Sequence, residues 1–172
     1  MNIVIGIMIS LGLSVIACDV HALTAVAELK ATTDKSKVRG EVKFVEEKGG
    51  VVVLAEIWNA KPGKHGIHIH EKGSCADEGK AAGGHYNPSG NSHGFSPKDF
   101  PLHAHPGDMG NIEADEDGHG KLKLHMPELG LQSRARYDIR GLAVILHESE
   151  DDFSQPTGNA GGRIACGVIQ QA

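Results

Sequence analysis

Aromatic side chains are scarce in this 172-residue chain: four Phe, two Tyr and one Trp make 4% of it, where large rings usually dominate a core. Basic clusters are missing as well. The 17 Lys and Arg are scattered against 22 Asp and Glu for a formal net charge of −5, and no stretch interleaves basic with aromatic residues. That pattern excludes a phosphate-neutralising surface, so nucleic acid is not an expected partner. Cysteines number three with no Cys-x-x-Cys among them, which removes a dithiol redox motif. Gly (23) and Pro (7) fall well short of a collagen-like or disordered composition. A single domain of this size buries roughly 70% of its unfolded surface and needs no disulfide array to hold a core. What is plentiful is histidine, eleven of them, and imidazole is the commonest protein ligand for transition metals.

The only cation from Met1 to Ala17 is the terminal amine, and Ile3 to Ile16 is almost wholly apolar. This resembles a secretory h-region, and it is shorter than the about 20 apolar residues of a membrane span. Two exits are visible. Val15-Ile16-Ala17-Cys18 resembles a bacterial lipobox, which would put a lipid on Cys18 as the sole link to a membrane; Val20-His21-Ala22 resembles an ordinary cleavage site. Residues 1–22 are therefore expected to be a signal peptide and residues 23–172 the mature domain, exported to the periplasm or cell envelope. Export leaves Cys75 and Cys166 as an even pair that either forms a disulfide in an oxidising compartment or stands as two buried thiols.

Beyond the leader the apolar pattern has a period of two. Ala25-Ala27-Leu29, Val38 to Val45, Val51 to Trp58, His65 to Glu71, Met109 to Ala114, His119 to Met126, Ile139 to His147 and Ile164 to Ile169 read as strands. Turn signals such as Lys61-Pro62-Gly63 and Asp115-Glu116-Asp117-Gly118 separate them. Eight short strands without a helical segment predict an all-β antiparallel sandwich or barrel. Two long segments interrupt the pattern, Lys72 to Asp108 and Glu148 to Arg163, and loops of that length in a small domain are usually functional.

The chemistry gathers in and beside those loops. In Ile67-His68-Ile69-His70 the two imidazoles share one face of a strand, half a metal site on a rigid element. Downstream stand His85, His93, His105 with Asp108, and His147 at the end of an apolar run, adding four imidazoles and a carboxylate. All-imidazole ligation suits copper, and three histidines with a carboxylate suit zinc.

Four segments carry a resemblance: His65-Gly66-Ile67-His68-Ile69-His70-Glu71, Gly84-His85-Tyr86-Asn87-Pro88, His105-Pro106-Gly107-Asp108-Met109-Gly110-Asn111, and Thr157-Gly158-Asn159-Ala160-Gly161-Gly162-Arg163-Ile164-Ala165-Cys166-Gly167-Val168-Ile169. In this order they resemble the signatures of copper/zinc superoxide dismutases, over about residues 24 to 169. The resemblance implies an eight-stranded Greek-key barrel and dismutation of superoxide, the substrate, to dioxygen and hydrogen peroxide. It implies copper on His68, His70, His85 and His147, and zinc on His85, His93, His105 and Asp108, with His85 bridging. Arg163 matches the family's active-site arginine, and His85 its proton carrier. Cys75 and Cys166 match its disulfide, and Asp151 its outer carboxylate, although Glu150 and Asp152 flank that position. The spacings His70–Cys75 and Cys75–His85 look more like exported bacterial members than the animal cytosolic enzyme. The segment between His147 and Arg163 is short for the family, which puts its steering of the substrate in doubt. His103 competes with His105 for the zinc position, and His65, His119 and His125 read as surface or strand residues. A rival reading is a non-enzymatic copper-binding or chaperone-like domain of the same fold, but such relatives typically lose ligands or the arginine, and this chain keeps them. The oligomeric state is open, a homodimer included.

Overall fold

A computed structural model describes residues 22–127 and 129–172. The expected leader, with Cys18 and both cleavage motifs except Ala22, lies outside the described residues. Eleven strands follow in chain order: β1 Thr24–Ala31, β2 Arg39–Glu47, β3 Gly50–Trp58, β4 Gly63–His70, β5 Asp108–Ala114, β6 Gly120–Pro127, β7 Leu129–Gly130, β8 Tyr137–Asp138, β9 Ala143–His147, β10 Arg163–Val168 and β11 Gln170–Gln171. Among the described residues helix is confined to one 3-10 turn, Lys80–Ala82, and one α-turn, α1 Ser96–Asp99.

Eight strands close into an antiparallel barrel in the order β1-β2-β3-β6-β5-β4-β9-β10, with β10 pairing back to β1 through Lys30↔Cys166. The passages from β3 to β4 and from β6 to β9 skip neighbours, which makes the topology Greek-key. Closure leaves none of the eight with a free long edge. β11 prolongs β10 onto the other end of β1, and β7 with β8 form a small parallel pair.

Alternation explains the strands. Ala25, Ala27 and Leu29 of β1, Val42 and Phe44 of β2, and Val51, Val53 and Ile57 of β3 fill the interior, while Glu28, Lys43 and Leu54 between them face outward. At Glu47↔Gly50 the register leaves Lys48-Gly49 as a two-residue hairpin loop. β4 and β9 differ, because both faces are buried. Ile67 and Ile69 pack inside with Val144 and Leu146, whereas the outer face carries His68 and His70 beside Ile145 and Ala143. The two long loops cover that face.

One expectation is corrected. The strand read from Ile139 begins at Ala143, since Ile139 to Leu142 forms a turn: Leu142 N–H donates to the Ile139 carbonyl, and Gly141 takes a φ of 75° that ends pairing there.

Candidate metal centre

The register of the barrel assembles the centre. His68 pairs with Ile145 across β4 and β9 and with Asp108 across β4 and β5, so the start of β5 and the antiparallel β9 flank the second half of β4. His85 joins through a bridge to His70. His93 and His105 enter from the segment between β4 and β5. Ligand atoms of His68, His70, His85 and His147 lie within 4.8 Å of one another, and so do those of His85, His93, His105 and Asp108. His85 belongs to both groups. All seven side chains are buried.

Hydrogen bonds fix which nitrogen each ring presents, because carbonyl and carboxylate oxygens only accept. His68 donates from Nε2 to Asp151 Oδ2 (2.8 Å), His70 from Nδ1 to the Gly83 carbonyl (3.0 Å) and His147 from Nδ1 to the Gly161 carbonyl (3.3 Å). Their other nitrogens, His68 Nδ1, His70 Nε2 and His147 Nε2, are buried without a partner and carry lone pairs. Such orphaned acceptors cost free energy unless something binds them. Burial holds His70 near 2, His147 near 3 and His85 near 4, against an ordinary 6.5, so the rings stay neutral at pH 7.

On the other side the Asp108 carboxylate is the hub. Its Oδ1 accepts from His85 Nδ1 (2.9 Å) and His105 Nδ1 (3.0 Å), and its Oδ2 from the backbone N–H of Gly94 and His105 (both 3.0 Å). His93 Nδ1 also lies 2.9 Å from Oδ2 but is not aligned for a hydrogen bond, which leaves it unpaired. Burial alone would raise Asp108; the bonds from His105 and His85 outweigh it and hold the group far below the carboxylate range. Burial would likewise lower His93, but Asp108 and Asp151 lift it to about 9.

Asp151, fully buried, joins the halves by accepting from His68 Nε2 through Oδ2 and from His93 Nε2 through Oδ1 (2.9 Å). Its neighbours do neither: Glu150 pairs with Lys64 at the surface, and Asp152 is exposed. Gly158 makes this contact possible, since a Cβ there would sit 1.7 Å from Asp151 Oδ1. His105 is in the cluster and His103 is exposed outside it.

A cavity of about 350 Å³ opens onto His70, His85 and His147 and is walled by Thr157, Asn159 and Arg163. Arg163 donates to the carbonyls of Gly79 (2.5 Å) and Gly83 (2.6 Å). Those carbonyls belong to the loop that the Cys75–Cys166 disulfide ties to β10, the strand that Arg163 begins. Burial lowers Arg163, yet a guanidinium remains charged at neutral pH.

Sequence reasoning missed several supports. His65, a strand residue of β4 outside both ligand groups, is 2% exposed and braces the centre, with Nδ1 2.9 Å from the His147 carbonyl and Nε2 2.8 Å from that of Lys61. Asn111 clamps Asp151 by its backbone, donating to its carbonyl (2.9 Å) and accepting from its N–H (2.8 Å). Gln155 does the same for His93, at 2.9 and 3.0 Å. Of these, His65 and Asn111 lie in quoted motifs and Gln155 in none. His119 bonds Glu56 (2.7 Å) and stacks on Trp58, and His125 is exposed, both away from the centre.

Residues 38–169 match the family described as copper/zinc superoxide dismutase (SODC). The chain is similar to the extracellular superoxide dismutase (Cu-Zn) of Drosophila melanogaster, 38% identical over 146 residues, 80% of this chain and 78% of that one. It is 39% identical over 143 residues to the superoxide dismutase (Cu-Zn) of Paramecium bursaria Chlorella virus 1, 78% of this chain and 74% of the other. The crystal structure of the clock protein EA4 aligns with a TM-score of 0.76 at 37% identity, covering 87% of this chain and 94% of that chain. Family, fold and paired histidine clusters agree: the chain belongs to the copper/zinc superoxide dismutases, oxidoreductases that use copper and zinc to dismute superoxide.

Proposed function

We propose that copper is held by His68 Nδ1, His70 Nε2, His147 Nε2 and the Nε2 of His85, and zinc by Nδ1 of His85, His93 and His105 with Asp108. The observation that carries this is the convergence of unpartnered buried nitrogens on the first group and the carboxylate-centred Nδ1 atoms of the second. The donor chemistry fits, neutral imidazoles for copper and three imidazoles with a carboxylate for zinc. When bound, copper supplies a one-electron couple that oxidises one superoxide to dioxygen and reduces a second to hydrogen peroxide, while zinc has no redox chemistry.

The protein's own residues do the rest. Arg163, pinned by two carbonyls at the wall of the cavity, presents a fixed cation that docks a small anion beside His147 and His85. With Nδ1 of His85 engaged on the Asp108 side, its Nε2 is the atom that takes up a proton and returns it to the reduced substrate. Asp151 keeps His68 and His93 in the tautomers and orientations that both sites require.

We further read residues 1–22 as a signal peptide ending either before Cys18 or after Ala22, and residues 23–172 as an exported domain that protects the envelope or periplasm from superoxide. The disulfide and the extracellular insect relative support export. A homodimer is compatible with this reading, and a lipid on Cys18 would be its only membrane attachment. Elemental analysis of His85→Ala and Asp108→Ala tests the ligand sets: the first should disturb both metals and the second chiefly empty the zinc position, and full zinc in Asp108→Ala would overturn the assignment.

A further inference from the structure

Phe153 combines three features that its sequence position does not explain. It is 42% exposed, it holds a left-handed backbone at φ 59°, and its ring lies over His93, with centroids 6.3 Å apart and planes 21° apart. A bulky side chain at positive φ is an uncommon and strained choice that persists only where the surroundings enforce it. Here they do: Phe153 N–H donates to Asp151 Oδ1 (2.9 Å), the oxygen that also accepts from His93 Nε2. Its ring meets that of Phe95 edge-on at 6.3 Å, and Phe95 comes from the other long loop, two residues after His93. Gly110, two residues after Asp108, makes room for the pair, since a Cβ there would stand 2.9 Å from the Phe95 ring and 3.8 Å from Phe153 Cζ.

The Phe153 ring thus lies over His93, with Phe95 of the opposite loop seated against it. No hydrogen bond requires an aromatic side chain at 153; what the ring adds is cover. We propose that Phe153, seated against Phe95, is a positioning residue that acts as an aromatic lid over His93 and sets how fast zinc leaves the centre. This rests on the assignment of His93, His105 and Asp108 to zinc.

Transfer of zinc from the copper- and zinc-loaded protein to a chromogenic chelator in excess reads the lid directly. The wild type should hold one zinc per chain and surrender it slowly, and Phe153→Ala should release it about tenfold faster, the scale of losing a well-placed aromatic pair. Phe153→Tyr, which keeps the ring, should release it at the wild-type rate. Phe153→Gly separates cover from fold: it removes the ring while relieving the backbone strain, so it should release zinc as fast as Phe153→Ala even if its melting temperature rises. Wild-type release rates in both Phe153→Ala and Phe153→Gly would overturn the lid alone. A wild type that takes up no zinc would overturn the zinc assignment and the lid together.

Discussion

Asp151→Asn is the sharpest perturbation of the centre, since it keeps the shape of a fully buried side chain while halving its acceptors. The carboxylate serves three donors: Oδ2 accepts from His68 Nε2, and Oδ1 accepts from His93 Nε2 and from Phe153 N–H. These imidazole bonds overcome burial, which alone would raise the group, and hold Asp151 below the usual carboxylate range. An amide offers one oxygen. With its oxygen at the Oδ1 place the amide strands His68 Nε2–H; with its oxygen at the Oδ2 place, also 3.0 Å from His93 Nε2, it turns its NH2 on Phe153 N–H, so either way a donor loses its acceptor. A buried unsatisfied donor costs about 1–3 kcal/mol. Loss of such an outer partner weakens metal binding by about 10–100-fold. Because Asp151 contacts a ring from each group, affinity should fall for copper, zinc or both. Competition titrations with chelators, metal by metal, against Asp152→Asn as an exposed neighbouring control, measure it. Unchanged affinity for both metals in Asp151→Asn would refute the reasoning.

Arg163→Ala should lower the rate constant for superoxide decay by about tenfold and flatten its dependence on salt, with both metals retained; an unchanged salt slope counts against the docking role. Replacing Cys75 and Cys166 by Ser should cost about 4–5 kcal/mol in the chain-entropy picture for a separation of 91 residues, read by guanidinium unfolding, and a loss under about 1 kcal/mol would contradict it. Metal-free protein should lose stability on acidification. Burial depresses His70, His85 and His147 from 6.5 to about 2, 4 and 3, so below pH 6.5 the unfolded chain binds protons that the folded one refuses. His93 has the opposite sign: raised to about 9, its contribution is fully present below 6.5 and fades as pH rises through 9. Three groups against one predict a lower urea midpoint at about pH 5 than at about pH 7, and a constant or rising midpoint would contradict this.

Much of this was legible in the residues. Period-two alternation placed all eight barrel strands, because one-sided burial writes itself into a strand, and Ile67-His68-Ile69-His70 showed its two faces directly. The pattern overextends β9 because Ile139 and Leu142 are apolar for a different reason: both pack against the core from a turn that period alone cannot tell from a strand. β7 and β8 leave no mark in the sequence, since two-residue pairings have no period. The order of the motifs implied the ligand positions, and the geometry brings those residues together. What stayed hidden is contact between residues far apart in sequence that share no type or spacing, such as Gln155 with the His93 backbone or His65 with the His147 carbonyl. His65 falls in a strand as read, but its bonds to backbone are invisible, because a histidine bonded to backbone reads the same in sequence as one in water.

Superoxide decay in the copper- and zinc-loaded protein beside His147→Ala tests the assignment of the centre most directly. Rapid decay that disappears in the variant, with its zinc retained, is the predicted result. Full decay in His147→Ala, or no decay in a wild type shown to hold both metals, would contradict the account.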